Sequence, residues 1–206
     1  MDVSCIILAG GKSTRLGRNK LVEKIGEQSL LERVISTLSN FNSEIIIVAA
    51  EDSVLPQLAG YPRLKLVNDI FHGKGSLGGI YTGLVTSRTL NNLVVACDMP
   101  FLNLNLLRHM VSLVEGYDVV VPRLNSGVFE PLHAVYSRSC IPAIESLIRQ
   151  NILSILELFP LINIRYVGNT EIEKFDPEHL SFFNINTEDD LDTGKKLTGK
   201  GDYKID

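Results

Sequence analysis

Short apolar runs alternate along the chain with longer segments in which apolar residues recur at helical spacing. This alternation is typical of a sheet with helices packed on its faces. Several runs are apolar at every position, as expected for parallel strands that are buried on both sides. The pattern predicts strands at residues 4–8, 44–48, 64–67, 93–96, 118–121, 132–136 and 162–167.

The segments between these runs predict helices. The first begins with a capping box, in which Ser29 is the N-cap and Glu32 stands three residues later. Pro142 falls in the first turn of another helix, where the missing N–H has no intrahelical partner to lose. The helical segments cover residues 29–38, 76–86, 105–114, 139–150 and 187–197.

Length and composition indicate one domain. The chain has 206 residues, of which 45% are hydrophobic, enough to bury one good core. The fold class is therefore α/β: a single-domain, three-layer, Rossmann-like fold with a mostly parallel central sheet. We expect the domain to cover residues 1–198 and residues 199–206 to form a polar C-terminal tail.

Charge and apolar run length narrow the function classes. A formal net charge of −4 argues against a general nucleic-acid binder, so an anion site has to be local. The N-terminal apolar runs stop at about five residues, which predicts neither a signal peptide nor a membrane span and favours a cytoplasmic protein. Cys5, Cys97 and Cys140 form no C-x-x-C pair and are expected to be buried free thiols.

A glycine-rich, cationic loop follows the first predicted strand. Gly10 and Gly11 lack the Cβ atoms that would keep a ligand away from the backbone, so successive N–H groups can face one anion. Four cations follow within nine residues, with no acid among them: Lys12, Arg15, Arg18 and Lys20. A triphosphate is the expected partner, because ligands of open parallel sheets bind at the carboxyl ends of strands.

Two familiar nucleotide motifs fit less well. Gly11-Lys12-Ser13 resembles the end of a Walker loop, but that loop would need a glycine where Ile6 stands. Residues 73–78 do spell G-x-G-x-x-G, with Asp98 at a suitable distance beyond them. Five residues separate this segment from the preceding predicted strand, which disfavours a dinucleotide fingerprint. We expect a tight loop that leads into the helix at residues 76–86.

Asp98 follows the apolar run at residues 93–96, and Pro100 prevents the strand from continuing. One carboxylate at a strand end suits Mg²⁺, which takes one or two protein carboxylates together with substrate phosphates. A cap on the following turn is the alternative role for Asp98. Asp69 also follows a predicted strand and could face the same cleft.

Other polar residues carry weaker signals. The histidines show no metal spacing, although His133 begins a strand that could border the cleft. Near the C-terminus, Asn186 or Thr187 is expected to cap a helix, which leaves Asn184 without an evident structural role.

Six motifs along most of the chain belong together: Leu8-Ala9-Gly10-Gly11 with Ser13, Arg15, Gly17 and Lys20; Asn68-Asp69; Gly75-Ser76-Leu77-Gly78-Gly79; Cys97-Asp98-Met99-Pro100-Phe101-Leu102; Pro131-Leu132-His133-Ala134-Val135-Tyr136; and Asn184-Ile185-Asn186-Thr187. Together they resemble the molybdenum cofactor guanylyltransferases, which are nucleotidyltransferases with a Rossmann-like fold. The double glycine of the first motif resembles this branch, whereas cytidylyl relatives tend to carry Leu-Ala-Ala-Gly.

The resemblance implies a role for each matching residue. The acceptor would lie near Gly78 and Asn184. Arg15 and Lys20 would supply fixed positive charge for catalysis, and Asp98 would bind Mg²⁺. The guanine nucleotide would be bound by Leu8, Ala9, Gly10, Gly11, Lys20, Asp69 and Asp98.

The activity implied by the resemblance is transfer of GMP from GTP to molybdopterin, with release of pyrophosphate. Molybdoenzymes or other proteins of cofactor biosynthesis would be delivery partners, and neither nucleic acid nor membrane would be involved. Two positions depart from the family pattern: Asn19 replaces an aspartate, and Val48 stands where some members offer an asparagine to the nucleotide. Two alternatives remain open: a nucleotidyltransferase that uses CTP or a sugar phosphate, and an inactive nucleotide-binding regulatory protein.

Overall fold

The computed structural model describes residues 2–10, 20–50, 53, 58, 60–125 and 127–199, with the side chain of residue 20 excluded. The strands that it describes are Val3–Leu8 (β1), Lys24–Ile25 (β2), Gln28–Ser29 (β3), Ile45–Ala49 (β4), Leu64–Asn68 (β5), Asn91–Ala96 (β6), Val119–Arg123 (β7), His133–Ser137 (β8) and Ile164–Gly168 (β9). The α-helices are Leu30–Ser39 (α1), Gly75–Thr86 (α2), Leu104–Ser112 (α3), Ile141–Arg149 (α4), Asn169–Ile172 (α5) and Glu188–Gly199 (α6). Single turns or short runs of 3₁₀ helix occur at Lys20–Val22, Arg138–Cys140, Ile155–Leu161 and Leu180–Phe182.

The main sheet has the strand order β5-β4-β1-β6-β8-β7-β9. Adjacent pairs are parallel except where β8 lies between β6 and β7, which it meets in antiparallel ladders. The predicted mostly parallel sheet is therefore confirmed, and each predicted strand is present within about two residues of its expected bounds. Because β8 is reversed, the start of β8 lies at the same edge as the carboxyl end of β6.

Helices cover both faces of the sheet. On one face α1 and α3 pack through Leu31, Ile35, Leu106 and Met110 against strand residues that include Ile7. On the other face α2 and α4 pack through residues such as Leu77, Ile80, Ile144 and Leu147. The alternation along β1 explains how one strand serves both cores, since Ile7 faces one helical layer and Ile6 the other.

The predicted helix caps are confirmed. Ser29 Oγ accepts the Glu32 N–H at 3.2 Å, and a Glu32 carboxylate oxygen accepts the Ser29 N–H at 2.7 Å. The hydrogen bonds with Ser29, helped by the charge of Lys24, keep the pKa of Glu32 below its usual value. At α6, Thr187 is the cap, because its hydroxyl accepts the Asp190 N–H at 3.2 Å.

A β-hairpin is the main element that the hydrophobic pattern did not predict. Strands β2 and β3 pair antiparallel across a turn at Gly26, whose φ is +66°. The hairpin packs on α6 and forms a small third core with Ile25, Leu30, Ile185 and Leu191.

Cys5 and Cys140 are buried thiols, as predicted, whereas Cys97 is only partly buried. Within the described ranges, no helix is both long and apolar enough to cross a membrane.

Candidate active site

The parallel ladders align the ends of four neighbouring strands. Val67 of β5 pairs with Val48 of β4, Val48 pairs with Leu8 of β1, and Leu8 pairs with Ala96 of β6. Residues two positions further along each strand therefore leave the sheet at the same level: Asp69, Ala50, Gly10 and Asp98. The structure thus places three predicted site residues in one row across the carboxyl edge of the sheet. We refer to Asp69, Gly10 and Asp98 as the edge row.

Gly10 stands at the centre of the edge row. Leu8 and Ala9 before it are buried, at 6% and 5% exposure, whereas Gly10 is exposed. The Ala9 N–H donates to the Val48 carbonyl at 2.8 Å, so β1 stays hydrogen-bonded to its neighbour up to the residue before Gly10. A ligand at this edge therefore meets Leu8 and Ala9 mainly through their backbone and Gly10 without any side chain in the way.

Several predicted cationic and glycine positions lie outside the described residues. Gly11 and Arg15 fall in the segment 11–19. Lys20 begins the 3₁₀ turn that leads into the hairpin, and its side chain is not described.

Asp69 lies at one end of the edge row and is fixed by the first turns of α2. One of its carboxylate oxygens, Oδ1, accepts the Thr82 hydroxyl at 2.8 Å and the Phe71 N–H at 3.0 Å. Thr82 Oγ1 in turn accepts the Ile70 N–H at 2.9 Å. Gly78 permits this arrangement, because a Cβ there would lie 3.3 Å from Asp69 Oδ2 and 3.1 Å from the Phe71 carbonyl oxygen. The structure therefore brings Gly78, a predicted acceptor residue, against the Asp69 loop as a buried residue.

Asp98 lies at the other end of the edge row, half-buried at the end of β6. Three strand spacings separate β5 from β6, so the backbones of Asp69 and Asp98 stand roughly 14 Å apart. The two carboxylates are thus too far apart to share one metal ion, and they flank the loop that follows β1. This separation is closer to the length of a nucleotide than to the size of a single ion.

Asn184, the predicted acceptor residue, is brought to Asp98 by the backbone. The Ile185 N–H donates to the Asp98 carbonyl at 3.0 Å. The Asn184 side-chain amide donates to the Phe182 carbonyl at 3.2 Å, which fixes its orientation. The segment that carries Asn184 therefore lies beside the metal-ligand candidate although 86 residues separate the two in sequence.

The donor chemistry at Asp98 fits Mg²⁺. No group of three or more candidate ligand side chains occurs within the described part of the chain, so a closed cage of protein ligands is not formed there. Mg²⁺ does not require such a cage, because it is commonly held by one or two carboxylates and by the phosphates of its substrate.

Glu130 is a further candidate residue of the active site, and the sequence pattern did not single it out. It precedes β8, and its carbonyl accepts the His133 N–H at 3.0 Å, which places it at the edge where β6 ends. Partial burial raises the pKa of its carboxyl group. The signal in the sequence was an acid immediately before Pro131 at the start of a strand.

His133 itself is a core residue. Its exposure is 0%, and its ring packs edge-on against Phe182 at a centroid distance of 4.9 Å. Burial lowers the pKa of the imidazole to about 3, so it stays neutral at physiological pH. The imidazole of His133 is therefore packed in the core, although its strand begins at the edge of the sheet where β6 ends.

Comparison with known proteins identifies the family of the chain. The family of MobA-like NTP transferase domains matches residues 5–160, which include the whole edge row. A probable molybdenum cofactor guanylyltransferase of Pelotomaculum thermopropionicum is 37% identical over 93% of this chain and 91% of its own length. A molybdenum cofactor guanylyltransferase of Desulfosudis oleivorans is 35% identical over 97% of both chains. The chain belongs to the molybdenum cofactor guanylyltransferase family of nucleotidyltransferases.

Solved structures extend the comparison. Molybdopterin-guanine dinucleotide biosynthesis protein A from Archaeoglobus fulgidus superposes with a TM-score of 0.82 at 30% identity, covering 96% of this chain and 99% of that chain. A 2-C-methyl-D-erythritol 4-phosphate cytidylyltransferase from Thermus thermophilus has a TM-score of 0.68 at 15% identity, covering 97% of this chain and 100% of that one. The second similarity concerns the fold alone, and it shows that this architecture also occurs in a cytidylyltransferase.

Proposed function

We propose that the protein transfers GMP from GTP to molybdopterin, forming the guanine dinucleotide cofactor and releasing pyrophosphate, with Mg²⁺ as its metal cofactor. The observation that carries the proposal is the edge row, in which an exposed glycine lies between two carboxylates roughly 14 Å apart. Family membership supports GTP as the donor and molybdopterin as the acceptor.

The two ends of the edge row have different roles: one contacts the nucleoside and the other holds the metal. Gly10 lets the nucleotide approach the backbone, and Asp69 is available at the α2 side of the cleft for contacts to the nucleoside. Asp98 is the ligand for Mg²⁺, which would neutralise charge on the phosphate oxygens when bound. Arg15 and Lys20, which follow Gly10 in sequence, would add fixed positive charge to the same phosphates.

The acceptor needs positioning more than activation. A phosphate nucleophile is already an anion, so no strong general base is required, and catalysis rests on in-line placement and charge neutralisation. Asn184 suits this role, because its segment is hydrogen-bonded to the Asp98 backbone beside the proposed metal. The reaction forms a bond from the acceptor phosphate oxygen to the α-phosphorus and breaks the bond from the α-phosphorus to the pyrophosphate oxygen.

Pyrophosphate release with GTP, CTP and ATP, each with and without molybdopterin, tests the proposal. We expect release only when GTP and molybdopterin are both present, together with a product whose mass is that of molybdopterin guanine dinucleotide. Equal release with CTP would assign the chain to cytidylyl transfer instead. Tight GTP binding without any turnover would favour a regulatory nucleotide-binding protein.

A further inference from the structure

The small third core joins segments that come from both sides of the proposed active site. Its buried members are at 0% or 1% exposure and lie apart from the cores on the two faces of the sheet. Phe101 and Phe183 pack on its border. The members come from the hairpin, α1, the Asn184 segment and α6: Ile25, Leu30, Ile185 and Leu191.

Gly194 of α6 lies directly against this core. A Cβ at Gly194 would lie 2.8 Å from Ile25 Cδ1 and 3.1 Å from Ile185 Cδ1. The first distance is far below van der Waals contact, so any residue with a Cβ at this position would force the Ile25 side chain to shift.

Each side chain that touches Gly194 is tied to a different half of the proposed site. The Ile185 N–H donates to the Asp98 carbonyl at 3.0 Å, next to Asn184. Ile25 belongs to the hairpin that directly follows the Lys20 turn, and its carbonyl accepts a hydrogen bond from Arg33 Nε at 3.1 Å. One half therefore carries the metal ligand and the acceptor segment, and the other half follows the cationic loop.

We infer that Gly194 is a positioning residue, which sets the spacing between the nucleotide half and the acceptor half of the site through Ile25 and Ile185. The inference rests on the proposed function for its kinetic consequence. Neither half loses its own binding groups when the spacing changes, so each substrate keeps its affinity while the alignment of the reacting phosphates is lost. Such misalignment lowers kcat rather than raising Kd or KM.

The test compares Gly194→Ala with Gly199→Ala. Gly194 lies inside α6 and Gly199 at its end, where a Cβ meets no atom of the described residues within 4 Å. For Gly194→Ala we expect kcat to fall by about tenfold or more, because sub-ångström to 1 Å misplacements have effects of this order. Calorimetric GTP affinity and the acceptor KM should stay within about twofold of the wild type. Gly199→Ala should match the wild type in all three quantities.

Amide hydrogen exchange gives a readout that does not depend on the reaction. If Gly194→Ala displaces Ile185, the hydrogen bond from its N–H to Asp98 weakens, and its exchange should become about tenfold faster than in Gly199→Ala. If the wild type forms no product, the proposed function fails, and the exchange rate still decides the inference. Unchanged Ile185 exchange in folded Gly194→Ala overturns the inference, as does a wild-type kcat in an active background.

Compensating variants separate positioning from a general loss of structure. Ile25→Val removes the Cδ1 atom that a Cβ at Gly194 would strike, so the double variant with Gly194→Ala should recover kcat relative to Gly194→Ala. Ile25→Val alone removes the contact between residue 25 and α6 at Gly194 without creating a clash. It should lower kcat by about threefold with folding intact. If Gly194→Ala does not fold, this variant and the double variant still decide the matter: wild-type kcat in Ile25→Val, or no recovery in the double variant, contradicts the inference.

Discussion

At the residue scale, Asp69 and Asp98 carry the same carboxylate in different surroundings. Oδ1 of Asp69 accepts two hydrogen bonds that fix the loop into α2, from the Thr82 hydroxyl and the Phe71 N–H. Asp98 is joined to the Asn184 segment through its backbone carbonyl, which keeps its side chain out of that bond. Replacing Asp69 should therefore disturb local structure together with binding, whereas replacing the Asp98 side chain leaves the backbone bond in place.

Asp98→Asn separates the metal-ligand role from a capping role. Asparagine keeps the shape and most of the capping ability of aspartate but removes the charge that would hold Mg²⁺. We expect the melting temperature to change little and pyrophosphate release to fall by about a hundredfold or more, since losing one transition-state charge stabiliser has effects of this order. A thermal melt beside a Mg²⁺ titration of pyrophosphate release measures both quantities.

The matched control is Asp192→Asn on the exposed surface of α6, where the carboxylate forms an ion pair with Lys195 Nζ at 3.4 Å. Surface ion pairs of this kind contribute little, so both activity and stability should be preserved. Near-normal Mg²⁺-dependent activity in Asp98→Asn would remove Asp98 from the metal site.

The sequence identified the residues of the edge row, but it could not show that they lie side by side across the carboxyl edge of the sheet. The end of a strand can be recognised from the sequence alone, and an apolar run precedes each of Asp69, Gly10 and Asp98. Their alignment depends on the order β5-β4-β1-β6 and on its register, which no local pattern contains. The contact between Asp98 and the Asn184 segment was hidden for the same reason, because it is a long-range backbone hydrogen bond.

At the element scale, α2 lies directly on β1 because two glycines remove side chains from the interface. A Cβ at Gly79 would stand 3.1 Å from Leu8 Cδ2, and a Cβ at Gly83 would stand 2.5 Å from Ile6 Cγ2. For both glycines the close neighbour is β1. The close packing brings the first turns of α2, and hence Asp69, up to the end of β1.

Gly83→Ala should therefore destabilise the protein despite the better helix propensity of alanine. Overpacking a buried site costs about 1–3 kcal/mol, and the gain in helix propensity offsets at most about 1 kcal/mol. We expect a lower urea midpoint with an unchanged slope, which indicates a loss of stability without a change in the surface exposed. Gly199→Ala, which adds a methyl group in open space, serves as the reference. A Gly83→Ala midpoint at or above that of the wild type would show that Ile6 moves aside freely.

Hydrophobic period was sufficient for the long elements and failed for the direction of β8 and for the hairpin. A short buried strand has the same apolar pattern in either direction, so β8 could not be distinguished from a parallel strand by its residues. The connection from β7 to β8 spans residues 124–132, which is shorter than a parallel crossover needs, and this length was the available signal. Strands β2 and β3 have two residues each, which is too few to show a periodicity. The local sequence signal for the hairpin was the turn residue Gly26.

At the scale of the whole molecule, stability should depend on pH through one fully buried imidazole. Neither ring nitrogen of His133 has a hydrogen-bond partner among the described residues, so nothing there stabilises the protonated form. Phe182, which packs on the ring, carries no charge, and Phe182 in turn contacts the His179 ring at a centroid distance of 6.1 Å. Protonation of His133 at low pH should therefore lower the free energy of unfolding of the whole protein.

His133 takes up a proton in the unfolded chain near its ordinary pKa of 6.5 but in the folded protein only at about 3. Between these values the unfolded state binds the extra proton, so stability is fully present above pH 6.5 and falls as the pH is lowered. From pH 7 to pH 5 this residue alone should cost about 2 kcal/mol, at about 1.4 kcal/mol per pH unit. Carboxyl groups with lowered pKa values, such as Glu32, add a loss of stability in the same direction, and only below that range.

Urea denaturation of the wild type and of His133→Phe at pH 7, 6 and 5 isolates this contribution. Phenylalanine preserves a ring against Phe182 and cannot be protonated, so the stability difference between the two proteins should shift by about 2 kcal/mol in favour of the variant from pH 7 to pH 5. His72→Gln is the control, because His72 is exposed and its replacement should leave the pH dependence unchanged. A constant difference between wild type and His133→Phe across the three pH values would mean that the folded protein admits a proton at His133 as readily as the unfolded chain, and that the core around β8 opens to solvent in acid.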